Sequence, residues 1–136
     1  PIMGWMVRLT GQLTINRSKK SALKKLNNLV QPLKSGIPVM LFPEGTRSLD
    51  GSLQPFKNGA FLLAMEHGFP IQPLVIEGAF EVLRSGSSLF QPKAHFLLRV
   101  LPSVDPKEFA SMSELKQTVQ RNMSDALTEL ESAQQN

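Results

Sequence analysis

A carboxylate, a hydroxyl and a guanidinium fall within Glu44-Gly45-Thr46-Arg47, directly after the apolar run Ile37 to Phe42. On a turn, such groups can hold a small anionic ligand. Pro43 fixes its own φ and has no N–H, while Gly45 can take the positive φ that aims backbone amides at a ligand. Arg47 offers a planar fork of donors that matches phosphate oxygens. Glu44 can accept a hydrogen bond from a ligand hydroxyl, and Thr46 can either reach the ligand or bond locally within its turn. For an isolated Glu-x-x-Arg the competing reading is a strand-ending turn whose two charges pair with each other at the surface.

The elements that must position these groups alternate between helix and strand. Ile2 to Leu9 reads as a short apolar or membrane-facing helix and Gln12 to Ile15 as a strand. Ser18 to about Lys34 carries Ala22, Leu23, Leu26, Leu29, Val30 and Leu33 at helical spacing, with Pro32 expected to end or kink the helix. Ile37 to Phe42 reads as a buried strand that delivers the turn. Asn58 is placed to cap a helix running to about Glu66, stopped by Gly68 and Pro70. Ile71 to Ile76 and Ala94 to Leu101 read as strands, the second nearer an edge, separated by a flexible loop from Arg84 to Pro92. From Ser111, with Glu114 completing a capping box, a last helix aligns Leu115, Val119, Met123, Leu127 and Leu130 on one stripe. This alternation predicts an α/β fold, a sheet with helices on its faces.

The string Phe42-Pro43-Glu44-Gly45-Thr46-Arg47-Ser48 resembles a block of the glycerolipid acyltransferases, the family of 1-acylglycerol-3-phosphate and glycerol-3-phosphate acyltransferases. Other segments resemble further blocks of that family in the family's order. Gly11-Gln12-Leu13-Thr14-Ile15-Asn16-Arg17 is similar to a Gly-x-Ile-x-Ile-Asp-Arg block, with Asn16 in place of the usual aspartate. Pro55-Phe56-Lys57-Asn58-Gly59 is similar to a Phe-Lys-x-Gly segment, and Ile71-Gln72-Pro73-Leu74-Val75-Ile76 to a last apolar block in which Gln72 replaces a usual valine. The resemblance runs from about Pro1 to Pro106.

What the resemblance implies is a glycerol-3-phosphate acyltransferase-like fold with a mixed sheet, forming one acyltransferase-like domain over residues 1–136. It implies that Arg17, Arg47 and Lys57 bind the substrate phosphate and that Glu44, Gly45 and Thr46 position the substrate. The implied reaction is acyl transfer, in phospholipid biosynthesis, from acyl-CoA or acyl carrier protein to the free hydroxyl of a lysophosphatidate-type glycerol phosphate. No metal and no cofactor beyond the acyl donor is implied. A phosphate monoester needs several donors converging on one spot while the glycerol hydroxyl meets the thioester. Three cations from three separate turns fit that need.

The family's His-x-x-x-x-Asp block, the source of its general base, has no counterpart here. The positions five beyond His67 and His95 hold Gln72 and Val100, so neither histidine has a carboxylate at that spacing. His67 instead reads as a helix-end residue suited to the helix dipole. Pro1-Ile2-Met3-Gly4-Trp5 resembles the segment that follows the histidine block, so the expectation is a domain truncated at its N-terminus, its base upstream of Pro1 and no catalytic residue of its own. The alternative is a non-catalytic module for anionic phospholipid, a pseudo-acyltransferase that keeps the phosphate site without the base.

Composition agrees with a single domain that can bury a core, at 136 residues and 41% hydrophobic content. Fifteen Lys and Arg against eleven Asp and Glu give +4, with Arg17, Lys19, Lys20, Lys24 and Lys25 forming a cluster. Such a cluster suits an anionic membrane surface or is a solvated helix face. Nucleic acid is disfavoured, since Tyr is absent, Trp occurs once and no aromatic residues interleave the basic ones. The absence of cysteine excludes disulfides and thiolate metal sites. No apolar run has spanning length, so the expected location is peripheral, on the cytoplasmic face of a membrane.

Overall fold

The computed structural model describes residues 26–46, 48–82 and 96–134, without the side chains of 81, 82 and 134. Contacts divide the chain into two compact units, Pro1–Val39 and Met40–Asn136. The predicted helix at Ile2 to Leu9, the strand at Gln12 to Ile15 and the loop from Arg84 to Pro92 lie outside the described residues.

In the first unit, helix α1 (Val30–Lys34) follows a break at Asn28 and Leu29. Pro32 accounts for the break. Its ring has no N–H to offer the carbonyl four residues back, that of Asn28, and collides with it. The helix resumes because the Leu33 N–H still reaches the Leu29 carbonyl at 3.0 Å, and it closes on a turn at Ser35 and Gly36. Proline thus kinks the segment rather than ending it.

The second unit contains helix α2 (Gly59–His67), strand β1 (Leu74–Glu77), the short helix α3 (Ala79–Val82), strand β2 (Leu97–Val100), a 3-10 turn at Pro106–Glu108 and the long helix α4 (Met112–Gln134). β1 and β2 pair antiparallel, with Leu74 opposite Val100 and Ile76 opposite Leu98. The pairing is extended by a bridge between Ile71 and Val104. The regular strand thus begins at Leu74 rather than at Ile71, and Gln72, between the bridge and β1, donates its side-chain amide to the Leu101 carbonyl.

α4 organises the core. Its stripe buries Leu115 and Val119 against Phe56, Phe61 and Ala64, then Ala126 and Leu130 against Val75, and Met123 packs against both clusters. The helix starts as the sequence predicts, with the Ser111 hydroxyl accepting the Glu114 N–H at 3.2 Å. The Glu114 carboxylate reaches back one residue further than in the usual box, to the Ala110 N–H at 3.1 Å. Among the described residues, no helix is long and apolar enough to cross a membrane.

Two element expectations need correction. Ile37 to Phe42 is not a buried strand: it takes no regular structure, and Ile37, Met40 and Phe42 are 56%, 65% and 72% exposed. A strand needs a paired neighbour, and the described residues supply none for the backbone of 38–41. Asn58 does not cap α2 with its side chain. Its φ and ψ of −73° and −17° are already helical, whereas a capping residue sits in extended backbone. Its Oδ1 instead accepts the Lys116 ammonium of α4 at 2.9 Å. The far end of α2 is as expected: His67 is its last residue, tilted against the Phe69 ring at 5.6 Å, and Gly68 closes it at φ 69°.

Candidate functional site

Pro43 and Glu44 form a turn in which the Gly45 N–H returns to the Phe42 carbonyl at 3.1 Å. Gly45 takes φ 66°, the left-handed conformation that the sequence assigns to it. Two bonds join this turn to residues 54–57. The Lys57 N–H donates to the Pro43 carbonyl at 2.8 Å, and the Gln54 N–H donates to Glu44 Oε2 at 2.8 Å. Phe56, 5% exposed, drops into the core between them and stacks on Phe61 with ring centroids 6.1 Å apart.

The consequence of this pairing is the placement of Lys57. A Cβ added to Gly45 would stand 2.7 Å from Lys57 Nζ and 3.1 Å from its Cδ and Cε. The lysine therefore lies across the bare backbone of Gly45, in space that any side chain there would fill. Among the described residues, Lys57 and Glu44 form no ion pair. Among the described residues neither the exposed ammonium nor Oε1 of Glu44 has a partner, and an ammonium beside a carboxylate oxygen is suited to an anion that also carries a hydroxyl.

Four of the six residues singled out in the sequence, Glu44, Gly45, Thr46 and Lys57, fall together at this turn. Arg17 and Arg47 lie outside the described residues. Thr46 is exposed, and its hydroxyl has no hydrogen-bond partner among the described residues. His67, at the end of α2, belongs to the helix terminus rather than to the turn.

Beyond the turn, Asp50 gathers the Ser48 hydroxyl at 2.8 Å and both the N–H and hydroxyl of Ser52, at 3.0 and 2.6 Å. The Ser52 and Ser48 hydroxyls hold its carboxyl at about 2, below the usual 3.8. Sequence reasoning missed three partners of the site: Gln54, the Pro43 carbonyl and Lys116. The first two act through the main chain, which carries no residue signature. The third reaches Asn58 from 58 positions away.

The sequence profile of the Acyltransferase family matches residues 1–77. A 1-acyl-sn-glycerol-3-phosphate acyltransferase of Chlamydomonas reinhardtii is 44% identical over 87 residues, covering 63% of this chain and 26% of that protein. One from Saccharomyces cerevisiae is 30% identical over 136 residues, covering 96% of this chain and 45% of that protein. The crystal structure of the 1-acyl-sn-glycerophosphate acyltransferase PlsC from Thermotoga maritima superimposes with a TM-score of 0.81 at 30% identity, over 96% of this chain and 52% of that one. The chain thus spans about half the length of these relatives or less, and its mixed α/β architecture is that of the PlsC structure. With its ordered motifs and its fold in agreement and the family profile matching residues 1–77, more than half of the chain, this chain belongs to the acyltransferase family.

Proposed function

We propose that the protein containing this chain transfers an acyl group from acyl-CoA or acyl carrier protein to the free hydroxyl of a lysophosphatidate-type glycerol phosphate. The observation that carries the proposal is the Lys57 ammonium laid over Gly45, unpaired among the described residues, at the turn that holds Glu44. In this reading Lys57, Arg47 and Arg17 share the phosphate, and the Glu44-Gly45-Thr46 turn sets the glycerol backbone. Relatives named 1-acyl-sn-glycerol-3-phosphate acyltransferases support the acceptor class.

In the reaction, the acceptor hydroxyl oxygen attacks the thioester carbonyl. The carbon–sulfur bond breaks, and the proton leaves the hydroxyl for a base while the thiolate departs. Residues 1–136 contribute binding and orientation. Fixing the two reactants in line removes translational and rotational entropy from the barrier. In this reading the base is the histidine of a His-x-x-x-x-Asp block, and we place the reaction at the cytoplasmic face of an anionic membrane with the protein attached peripherally. No cofactor besides the acyl donor takes part.

The test is thiol release from acyl-CoA with lysophosphatidate as acceptor, using a polypeptide that carries such a block ahead of Pro1. Arg47→Ala and Lys57→Ala should each raise the acceptor KM by about tenfold or more, and the donor KM far less, because a charged hydrogen bond to phosphate contributes roughly 1.5 to 3 kcal/mol. Unchanged dependence on acceptor concentration in both variants would refute the phosphate site. Residues 1–136 alone contain no histidine with a carboxylate at relay spacing, which favours the second reading, an anionic-phospholipid module, for this stretch taken by itself. Phosphate binding without turnover by every longer form of the protein is the result that would establish it.

A further inference from the structure

Resting on the phosphate-site reading, we infer that Glu44 is a positioning residue, whose carboxylate fastens the 54–57 segment to the turn and thereby sets where the Lys57 ammonium lies. The segment is held at both ends. Its first amide, Gln54 N–H, donates to Glu44 Oε2 at 2.8 Å, and its last, Lys57 N–H, donates to the Pro43 carbonyl at 2.8 Å. Between these points Phe56 anchors it to the core.

The two fasteners differ in kind. The bond from Lys57 to Pro43 is main chain to main chain and survives any substitution at residue 44 that preserves the turn. The bond from Gln54 depends on one side chain, that of the half-buried Glu44. Residues 52–57 take no helix or strand, so no regular ladder supplies Gln54 with another acceptor. Without Glu44 the Gln54 amide loses this acceptor, the N-terminal half of the segment is held by the packing of Leu53 and Phe56 and by the Gln54 side-chain bonds to Ser52, and the lysine stem that follows has a less fixed origin. The Lys57 ammonium occupies a narrow position, close enough to Gly45 that a single methyl group would displace it. A small shift at the root of its side chain therefore changes what it can reach. Oε1 of the same carboxylate has no partner among the described residues, so fastening and ligand contact need not compete for one atom.

A hydrogen-bond acceptor and a charge make different demands on residue 44, and Glu44→Gln separates them, because glutamine keeps an oxygen for the Gln54 N–H and loses the charge. The experiment measures amide exchange at Gln54 together with glycerol 3-phosphate affinity, by nuclear magnetic resonance, for residues 1–136 as wild type, E44Q and E44A. In E44A, Gln54 exchange should accelerate by about tenfold and the Kd for glycerol 3-phosphate should rise by about tenfold, the loss expected for a bond to a charged acceptor. E44Q should recover most of both. Unchanged Gln54 exchange in E44A overturns the inference, and so does an E44Q variant that loses affinity as fully as E44A, since a direct charge contact with the ligand would then explain residue 44. If the wild type binds no glycerol 3-phosphate, the phosphate-site reading fails. Gln54 exchange then still decides whether Glu44 holds the segment.

Discussion

At Gly45 a single methyl group bears on two properties at once, and their magnitudes separate them. Alanine at φ 66° costs about 1 to 2 kcal/mol of backbone strain. The steric cost is smaller, because the atoms a Cβ would meet are the far end of a flexible lysine that can swing away. Gly45→Ala should therefore lower stability by only about that strain in denaturant unfolding, yet weaken glycerol 3-phosphate binding by about tenfold as Lys57 leaves its place. Equal affinity in variant and wild type would show that the lysine position is irrelevant to the ligand. Asp50 makes a separate prediction in acid. Its folded pKa of about 2 lies below the usual 3.8, so the bonds it makes to Ser52 and Ser48 stabilise the 48–52 turn above about 3.8 and are lost as pH falls through about 2. A carboxyl titration by nuclear magnetic resonance should find that midpoint, and Ser52→Ala should move it upward. A midpoint near 3.8 in the wild type would mean that the serines do not hold the carboxylate in solution. What the sequence shows at this scale is the identity of the ionic groups, since Glu44, Gly45 and Lys57 can be singled out by type and motif. The Gln54 amide cannot be seen that way, because every residue but proline carries the same donor.

Helix α4 and the segment 37–42 show why some elements are legible and others are not. α4 carries its own instructions: Ser111 and Glu114 mark its start, and Leu115, Val119, Met123 and Leu130 recur on one face, so local signal and tertiary burial agree. Ile37 to Phe42 has only an apolar run. Whether such a run becomes a strand depends on a partner it does not encode, and the described residues pair none with it. Asn58 failed as a cap for a related reason: a capping residue type is necessary but its backbone must be extended, and here a distant lysine claims the side chain. α4 should respond to substitution according to the two contributions that build it. Ser111→Ala removes one cap bond and should cost about 1 kcal/mol. Leu115→Ala, at a fully buried position, should cost about 2 to 5 kcal/mol through lost transfer and a residual cavity. Denaturant midpoints would order the two, and a Ser111→Ala loss as large as that of Leu115→Ala would mean that the cap, not the core, holds the helix.

Across the second unit, the described residues cover the β1–β2 pair on one side. Val75 faces α4 and packs with Ala126 and Leu130, and on the same side Arg99 reaches Glu129. That ion pair is exposed and contributes at most about 1 kcal/mol, so the covered face is held by apolar packing. The opposite face presents Ile76, Leu98 and Val100, which are 43%, 62% and 61% exposed and share one side of the sheet through the pairing of Ile76 with Leu98. A two-stranded sheet with one apolar face in water is marginal by itself, and contiguous exposed apolar residues drive association. The α/β reading foresees a sheet with helices on its faces, and among the described residues of the second unit α4 covers one face. Residues 1–136 in plain buffer should therefore self-associate, with the open face as its seat. Leu98→Lys together with Val100→Thr should raise the monomer fraction in sedimentation or light scattering while leaving the helical signal unchanged, because neither side chain belongs to the α4 core. A monodisperse, cooperatively melting wild-type monomer would show that this face is tolerated in water, and undiminished association in the double variant would place the adhesive surface elsewhere, with the exposed Ile37, Met40 and Phe42 as the next residues to change.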